Sequence, residues 1–260
     1  MTEKDPRLEE FRRLLDIIDE LRAKCPWDMK QTNESLRKLT IEETFELAEA
    51  IIEGEDKEIC NELGDIMLHI VFYSKIGSEK EAFSIADVLR GINNKLIYRH
   101  PHVFGDVTVS GSTEVEQNWE KLKMNEDHTY KHVLSGVPSS LPALIKANRI
   151  QEKARGVGFD WEVREQVWDK VSEEISELKE ELANRNTERI ESEFGDVLFS
   201  LVNAARLYEI DPEAALEKTN RKFIKRFNYL EKQTLEQGIS LHDMTLDEMN
   251  VIWEQAKEED

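Results

Sequence analysis

The chain has 260 residues, 55 of them acidic and 35 basic, so it can bury a sizeable core in one or two domains and carries a formal charge of −20. That charge argues against a nucleic-acid polymer or an anionic membrane as the main partner, while leaving room for a small polyanion screened by metal ions and local basic residues. Cys25 and Cys60 are too few for a disulfide framework, the charged start 1–13 has no apolar signal core, and the longest apolar run, 66–73, is broken by His69 and too short to span a bilayer. A soluble, cytoplasmic protein is expected.

Helical periodicity dominates along the chain and strand alternation is scarce. A first helix is expected over 6–24, with Asp5 as its cap and Pro6 in its first turn. A second is expected over 32–53, with Ile41, Phe45, Ala48, Ile51 and Ile52 as its core stripe and Gly54 as its stop. Helices follow over 57–76 and 84–99. The texture then changes between His100 and Pro142: three of the six prolines and four of the six histidines lie there, which marks a loop-rich linker containing one short helix over 115–123. Loop histidines are common, so His100, His102, His128 and His132 are read as ordinary. Helical periodicity resumes over 142–155, 163–183 and 187–207. In the helix over 163–183 the stripe is Trp168, Val171, Ile175, Leu178 and Leu182. Asp211-Pro212 opens a helix to about 233, and Thr245 with Glu248 forms a capping box for the last.

The chemistry concentrates on two of these helices. At 100° per residue, Glu173, Glu174 and Glu177 fall within about 100° of one another, and Glu193 and Asp196 share a face at i, i+3. The run from Val197 to Ala205 is apolar on nearly every side, so the helix carrying Glu193 and Asp196 is expected to be buried, with its acids at the entrance to a core. Carboxylates in such a place need cations or donors. Oxygen ligands without histidine or thiolate select Mg²⁺, with Mn²⁺ as a substitute.

The same arrangement occurs earlier. Glu42, Glu43, Glu46, Glu62 and Asp65 precede Glu173, Glu174, Glu177, Glu193 and Asp196 by a constant 131 residues, and 15 residues separate the third acid from the fourth in both copies. Leu63-Gly64-Asp65 answers Phe194-Gly195-Asp196, and Trp27-Asp28 answers Phe159-Asp160. Lys95 and Arg99 answer Lys222 and Arg226, and Trp119 answers Trp253. Each copy therefore supplies acids, a basic pair and a tryptophan in one order. An isolated acidic helix is usually a solvated face, but a duplicated spacing beside apolar runs favours metal binding. Lys222 and Arg226, one turn apart, suit phosphate. Arg189, one turn before Glu193, is placed to reach the same phosphates. Trp253 is either a packing residue or a base-stacking platform.

Cys25-Pro26-Trp27-Asp28, the paired acidic motifs, His100-Pro101-His102-Val103-Phe104 and Asn220-x-Lys222-Phe223-x-x-Arg226-Phe227 together resemble the MazG family of bacterial nucleoside triphosphate pyrophosphohydrolases over nearly the whole chain. The acidic motif alone marks a broader all-α superfamily that includes dimeric dUTPases. The tandem copies and the His-Pro-His-Val-Phe segment narrow the resemblance. It implies an all-α fold of two tandem, duplicated helical-bundle domains: 1–124 as scaffold with a weak or inactive site, a linker over 125–140, and 141–260 as the catalytic domain. It also implies a homodimer that uses Mg²⁺ to cleave NTPs between the α and β phosphates. By motif, the metal ligands are Glu174, Glu177, Glu193 and Asp196, and the nucleotide contacts are Lys170, Glu173, Glu174, Arg189, Ser192, Asp196, Lys222, Arg226 and Trp253. Glu173 is the candidate for activating water, with Lys222 and Arg226 stabilising the leaving group. Glu43, Glu46, Glu62, Asp65, Lys95 and Arg99 form a second site. At 189 the family can carry lysine, so arginine there keeps the charge and alters the geometry.

Three other readings compete. A ferritin-like di-metal oxidase needs Glu-x-x-His, and no histidine here has a glutamate three residues before it. A non-catalytic regulator could use the acids for structural Mg²⁺ and the acidic surface for a basic partner. A pyrophosphatase restricted to a damaged or deoxy nucleotide would differ only in substrate.

Overall fold

The computed structural model describes residues 5–111, 114, 115, 118, 119, 122, 132–236 and 238–258. The described residues form helices and turns without a strand, and the chain divides into two compact units, Met1–Lys123 and Met124–Asp260. The helix expected over 115–123 and the linker expected over 125–140 lie partly outside the described residues, as does His128.

In the first unit, α1 (Pro6–Lys24) starts where Asp5 Oδ1 accepts the Arg7 backbone N–H at 3.0 Å. A capping box between Thr32 and Ser35 opens α2 (Asn33–Glu53), and Gly54 ends it at φ +73°, a left-handed conformation that glycine adopts without strain. α3 (Asp56–Glu79) returns alongside α2. α4 (Ile85–Arg99) begins at the Ser84–Asp87 capping box, and Pro101 starts the single turn α5 (Pro101–Phe104). Ile18, Leu36, Val71, Phe72 and Ile76 form the core, with Leu39, Leu68 and Tyr73 packed against it. Gly77 lies against Phe83: a Cβ there would come 2.7 Å from the half-exposed ring, which would have to move. Ion pairs Arg22–Glu79 (3.0 Å) and Lys75–Asp19 (2.6 Å) tie α1 to α3.

In the second unit, α6 (Ala143–Gly156) is followed by a 3₁₀ turn (Arg164–Gln166) and then α7 (Val167–Asn184). Arg185 and Asn186 alone connect α7 to α8 (Thr187–Leu207), so the two helices make a tight αα-hairpin. α9 (Pro212–Glu236) and α10 (Leu246–Lys257) complete the unit. Val167, Val171 and Ala204 pack together with Leu207 at the base of the hairpin. Arg206 on α8 makes a bidentate ion pair with Asp160 in the loop before α7, which fixes the base of the hairpin from both sides.

Two expectations about burial are corrected. Phe194, Leu198, Phe199 and Leu201 of α8 are all exposed, with Leu198 at 55 %, and its buried residues are Ser200, Val202 and Ala204. In α2, Ile41, Phe45 and Ile51 are exposed while Leu36 and Ala50 are buried; in α7, Trp168, Ile175 and Leu182 are exposed while Val171 and Leu178 are buried. The apolar arc on each hairpin is wider than the face its own unit covers. Periodicity locates apolar residues without saying what packs on them. No helix among the described residues is long and apolar enough to cross a membrane.

Candidate metal and nucleotide site

The α7–α8 hairpin brings its acids together because the two-residue connection fixes their register. Arg189 stands opposite Glu181, and their ion pair of 3.1 Å marks the rung nearest the turn. One turn further, Glu193 stands opposite Glu177, and another turn on, Asp196 is level with Glu174. Carboxylate oxygens of Glu174, Glu177 and Glu193 come within 4.8 Å of one another. Asp196 is exposed and lies outside that set. Glu174 is only 7 % exposed, while Glu177 opens to solvent. The Glu177 carboxyl is held above the usual carboxylate range, first by desolvation and then by the charges of Glu174, Glu193 and Glu173. Lys170 supplies the nearest cation, with its ammonium 2.8 Å from Glu174 and 3.1 Å from Glu173. Those two bonds, Glu174 first, hold the lysine above its ordinary range.

The α2–α3 hairpin repeats the arrangement with a different choice of acids. Glu43, Glu62 and Asp65 converge within 4.8 Å, and Glu46 is outside that set. Glu43 and Glu62 are both held above the usual carboxylate range, first by desolvation and then by the charges of the neighbouring acids. Oε2 of Glu62 is buried without a hydrogen-bond partner. One rung deeper the copies differ. The first has Leu39 facing the level of His69, which is 6 % exposed with Nδ1 unpartnered; the second has Lys170 facing the level of Ser200, whose hydroxyl donates to the Val197 carbonyl at 2.9 Å.

The remaining expected contacts sit on other helices. Lys222 and Arg226 are on α9, Trp253 is on α10, and Ser192 is exposed on α8. Trp253 packs on Phe223, with ring centroids 5.0 Å apart, and Phe223 stacks on Phe227 at 6.2 Å. The tryptophan therefore has a packing role whatever else it does. In the first unit the Arg99 guanidinium lies over the Trp119 ring, 5.2 Å from its centroid, so the duplicated arginine and tryptophan meet there in space. Lys95 lies on α4, one turn before Arg99. Sequence reasoning missed two supporting contacts. The Trp168 indole N–H donates to the Tyr208 hydroxyl at 3.1 Å, and Glu181 holds Arg189. Only the latter has a sequence signal, an acid one turn beyond Glu177.

A family model described as the MazG nucleotide pyrophosphohydrolase domain matches residues 31–104 and 164–230. The chain belongs to the MazG family. Each matched stretch contains one of the acid hairpins, and the two together leave 1–30, 105–163 and 231–260 outside the MazG model. The nucleoside triphosphate pyrophosphohydrolase/pyrophosphatase MazG of Thermotoga maritima is 45 % identical over 250 residues, covering 95 % of each chain. A nucleoside triphosphate pyrophosphohydrolase of Escherichia coli K12 is 37 % identical over 97 % of this chain and 99 % of its own length. The uncharacterized protein YabN of Bacillus subtilis is 46 % identical over 96 % of this chain, which spans about half of that longer relative, 52 %.

Proposed function

We propose that the chain is a Mg²⁺-dependent nucleoside triphosphate pyrophosphohydrolase, cleaving NTPs between the α and β phosphates to NMP and pyrophosphate, with the second unit as the competent site. The observation that carries this reading is the convergence of Glu174, Glu177 and Glu193 around one point, at the matching rungs of a hairpin. Such a set is all hard oxygen, carries more negative charge than Lys170 offsets, and therefore fits a divalent cation. Glu174, Glu177 and Glu193 would hold Mg²⁺, or Mn²⁺ in its place, with Asp196 one turn along α8 available as a further ligand. When bound, that ion supplies charge screening toward the triphosphate and acidifies water.

The protein's own groups divide the remaining work. Glu173, beside the ligand set on α7, would orient or deprotonate the attacking water. Lys222, Arg226 and Arg189 would take up charge developing on the pyrophosphate leaving group, and Lys170 and Ser192 would contact the nucleotide. Trp253 would stack on the base, which tolerates any base and supports broad NTP and dNTP use. The names of the relatives in Thermotoga maritima and Escherichia coli support the substrate class. The exposed apolar arcs, Phe194 and Leu198 among them, support a homodimer that covers them. The first unit would be a scaffold with a second, weaker site at Glu43, Glu46, Glu62 and Asp65, with Lys95 and Arg99. The test is Glu193→Ala, assayed for Mg²⁺-dependent release of NMP and pyrophosphate from each NTP and dNTP. Loss of more than about 100-fold with an unchanged helical CD spectrum is expected; substantial residual turnover would sink the ligand set.

A further inference from the structure

The two acid hairpins share carboxylate spacing and hairpin register but differ at one position that decides their charge. Position 39 of the first copy corresponds to position 170 of the second. Leu39 packs against the core of its unit, whereas Lys170 turns toward its acids and touches two of them, Glu174 at 2.8 Å and Glu173 at 3.1 Å. Of these, Glu174 is the most enclosed member of the converging set, with its side chain 10 % exposed. On the partner helix the copies differ as well: Ser200 stands at the position corresponding to His69. Burial pushes His69 below the ordinary histidine range although Asp65 acts the other way, so it contributes no fixed charge. Among the described residues, the second cluster thus has an ammonium on its acids at the position where the first has Leu39.

We propose that Lys170 is a resident counter-cation of the second acid cluster, occupying the Glu174 carboxylate that a divalent ion would use and so weakening the binding of bare metal. The inference rests on the metal-site reading of the same cluster and adds an order to it. A metal ion arriving alone must displace the ammonium from Glu174, leaving it only Glu173 and solvent as partners. Arriving with a triphosphate, it brings anionic oxygens to which the freed ammonium can turn. The first cluster has Leu39 where the second has this lysine, so that position cannot raise such a barrier there. In the nucleotide-free protein Lys170 acts through its contact with Glu174.

The test uses the full chain, Mn²⁺ alone without nucleotide, and electron paramagnetic resonance to count free and bound ion. Methionine keeps the aliphatic length of Lys170, whose side chain is 40 % exposed, so Lys170→Met should fold as judged by CD. It is expected to bind Mn²⁺ about tenfold more tightly at one site, the scale set by losing a competing charge beside a mostly enclosed carboxylate. Lys170→Arg, which retains the charge, should stay within about twofold of the parent. In Lys170→Met/Glu193→Ala the gained site should vanish. Superimposable isotherms for the parent and Lys170→Met would overturn the counter-cation. A gained site that survives Glu193→Ala would instead overturn the metal-site reading itself, so the two failures are distinguishable.

Discussion

Arg206→Met should loosen the second unit by about 2 kcal/mol, a figure set by how the pair is enclosed. Arg206 is 8 % exposed at its side chain and Asp160 20 %, and the guanidinium also donates to Asn203 Oδ1 at 2.8 and 3.1 Å. Removing one member of a fully buried pair costs about 3–5 kcal/mol, and an exposed pair contributes about 0–1 kcal/mol. Asp160 would keep the Trp161 backbone N–H at 3.0 Å and the more distant Arg155 at 3.8 Å, which places the loss between those limits. At about 3 °C per kcal/mol for a unit of this size, the midpoint should fall by about 6 °C. Urea unfolding followed by tryptophan fluorescence suits the measurement, because Trp161, Trp168 and Trp253 all lie in this unit.

The pH dependence supplies the sharper check. Burial alone would raise the Asp160 carboxyl, but hydrogen bonds from Arg206 and Trp161 outweigh it and leave the group below its ordinary value. A depressed folded-state carboxyl contributes stability above the unfolded value of about 3.9, and that contribution disappears as pH falls through the folded value. The difference between parent and Arg206→Met should therefore be full at pH 7 and shrink in strong acid. A penalty below about 0.5 kcal/mol at pH 7, or one that does not change with pH, would refute the reasoning.

Two further outcomes follow from the same physics. Glu177→Gln should raise the melting temperature in chelator at pH 7, because the folded state holds this carboxyl above its unfolded value and so loses stability once it ionises. The gain should vanish as pH drops below the unfolded value of about 4.3, and added Mg²⁺ should stabilise the variant less than the parent; an unchanged chelator melting curve at pH 7 would contradict the picture of like-charge crowding. Gly77→Ala should cost no more than about 2 kcal/mol, because moving the half-exposed Phe83 ring, 2.7 Å from the new Cβ, is partly offset by helix propensity. Adding Phe83→Leu should recover part of it in the same urea titration, and no recovery would mean that the ring is not the obstacle.

Legibility in the sequence divided along the range of the forces involved. Helix starts at Asp5 and Thr245 were readable because caps are local, and Thr32 and Ser84, taken as first helical residues, prove to be caps of the same kind. The duplication was readable because the spacing of five acids repeats at one offset. Contacts of Lys170 with Glu173 and Glu174 are one helical turn long, and so were within reach of spacing alone. Burial was less legible, since Phe194 and Leu198 look like core residues and yet face outward from their own unit.

The amino-acid order by itself determined that this protein is helical, tandem and acid-lined, because turns, caps and i, i+4 neighbours are fixed within a few residues. Only the tertiary structure decided which carboxylates share a point: Glu174, Glu177 and Glu193 in one hairpin, Glu43, Glu62 and Asp65 in the other. That choice depends on the rotation and crossing of two helices about a short connection, and it can move by a turn between copies of equal spacing. The tie from Arg206 to Asp160, 46 residues apart, is of the same kind. It exists because packing brings distant segments together, and no local pattern announces it.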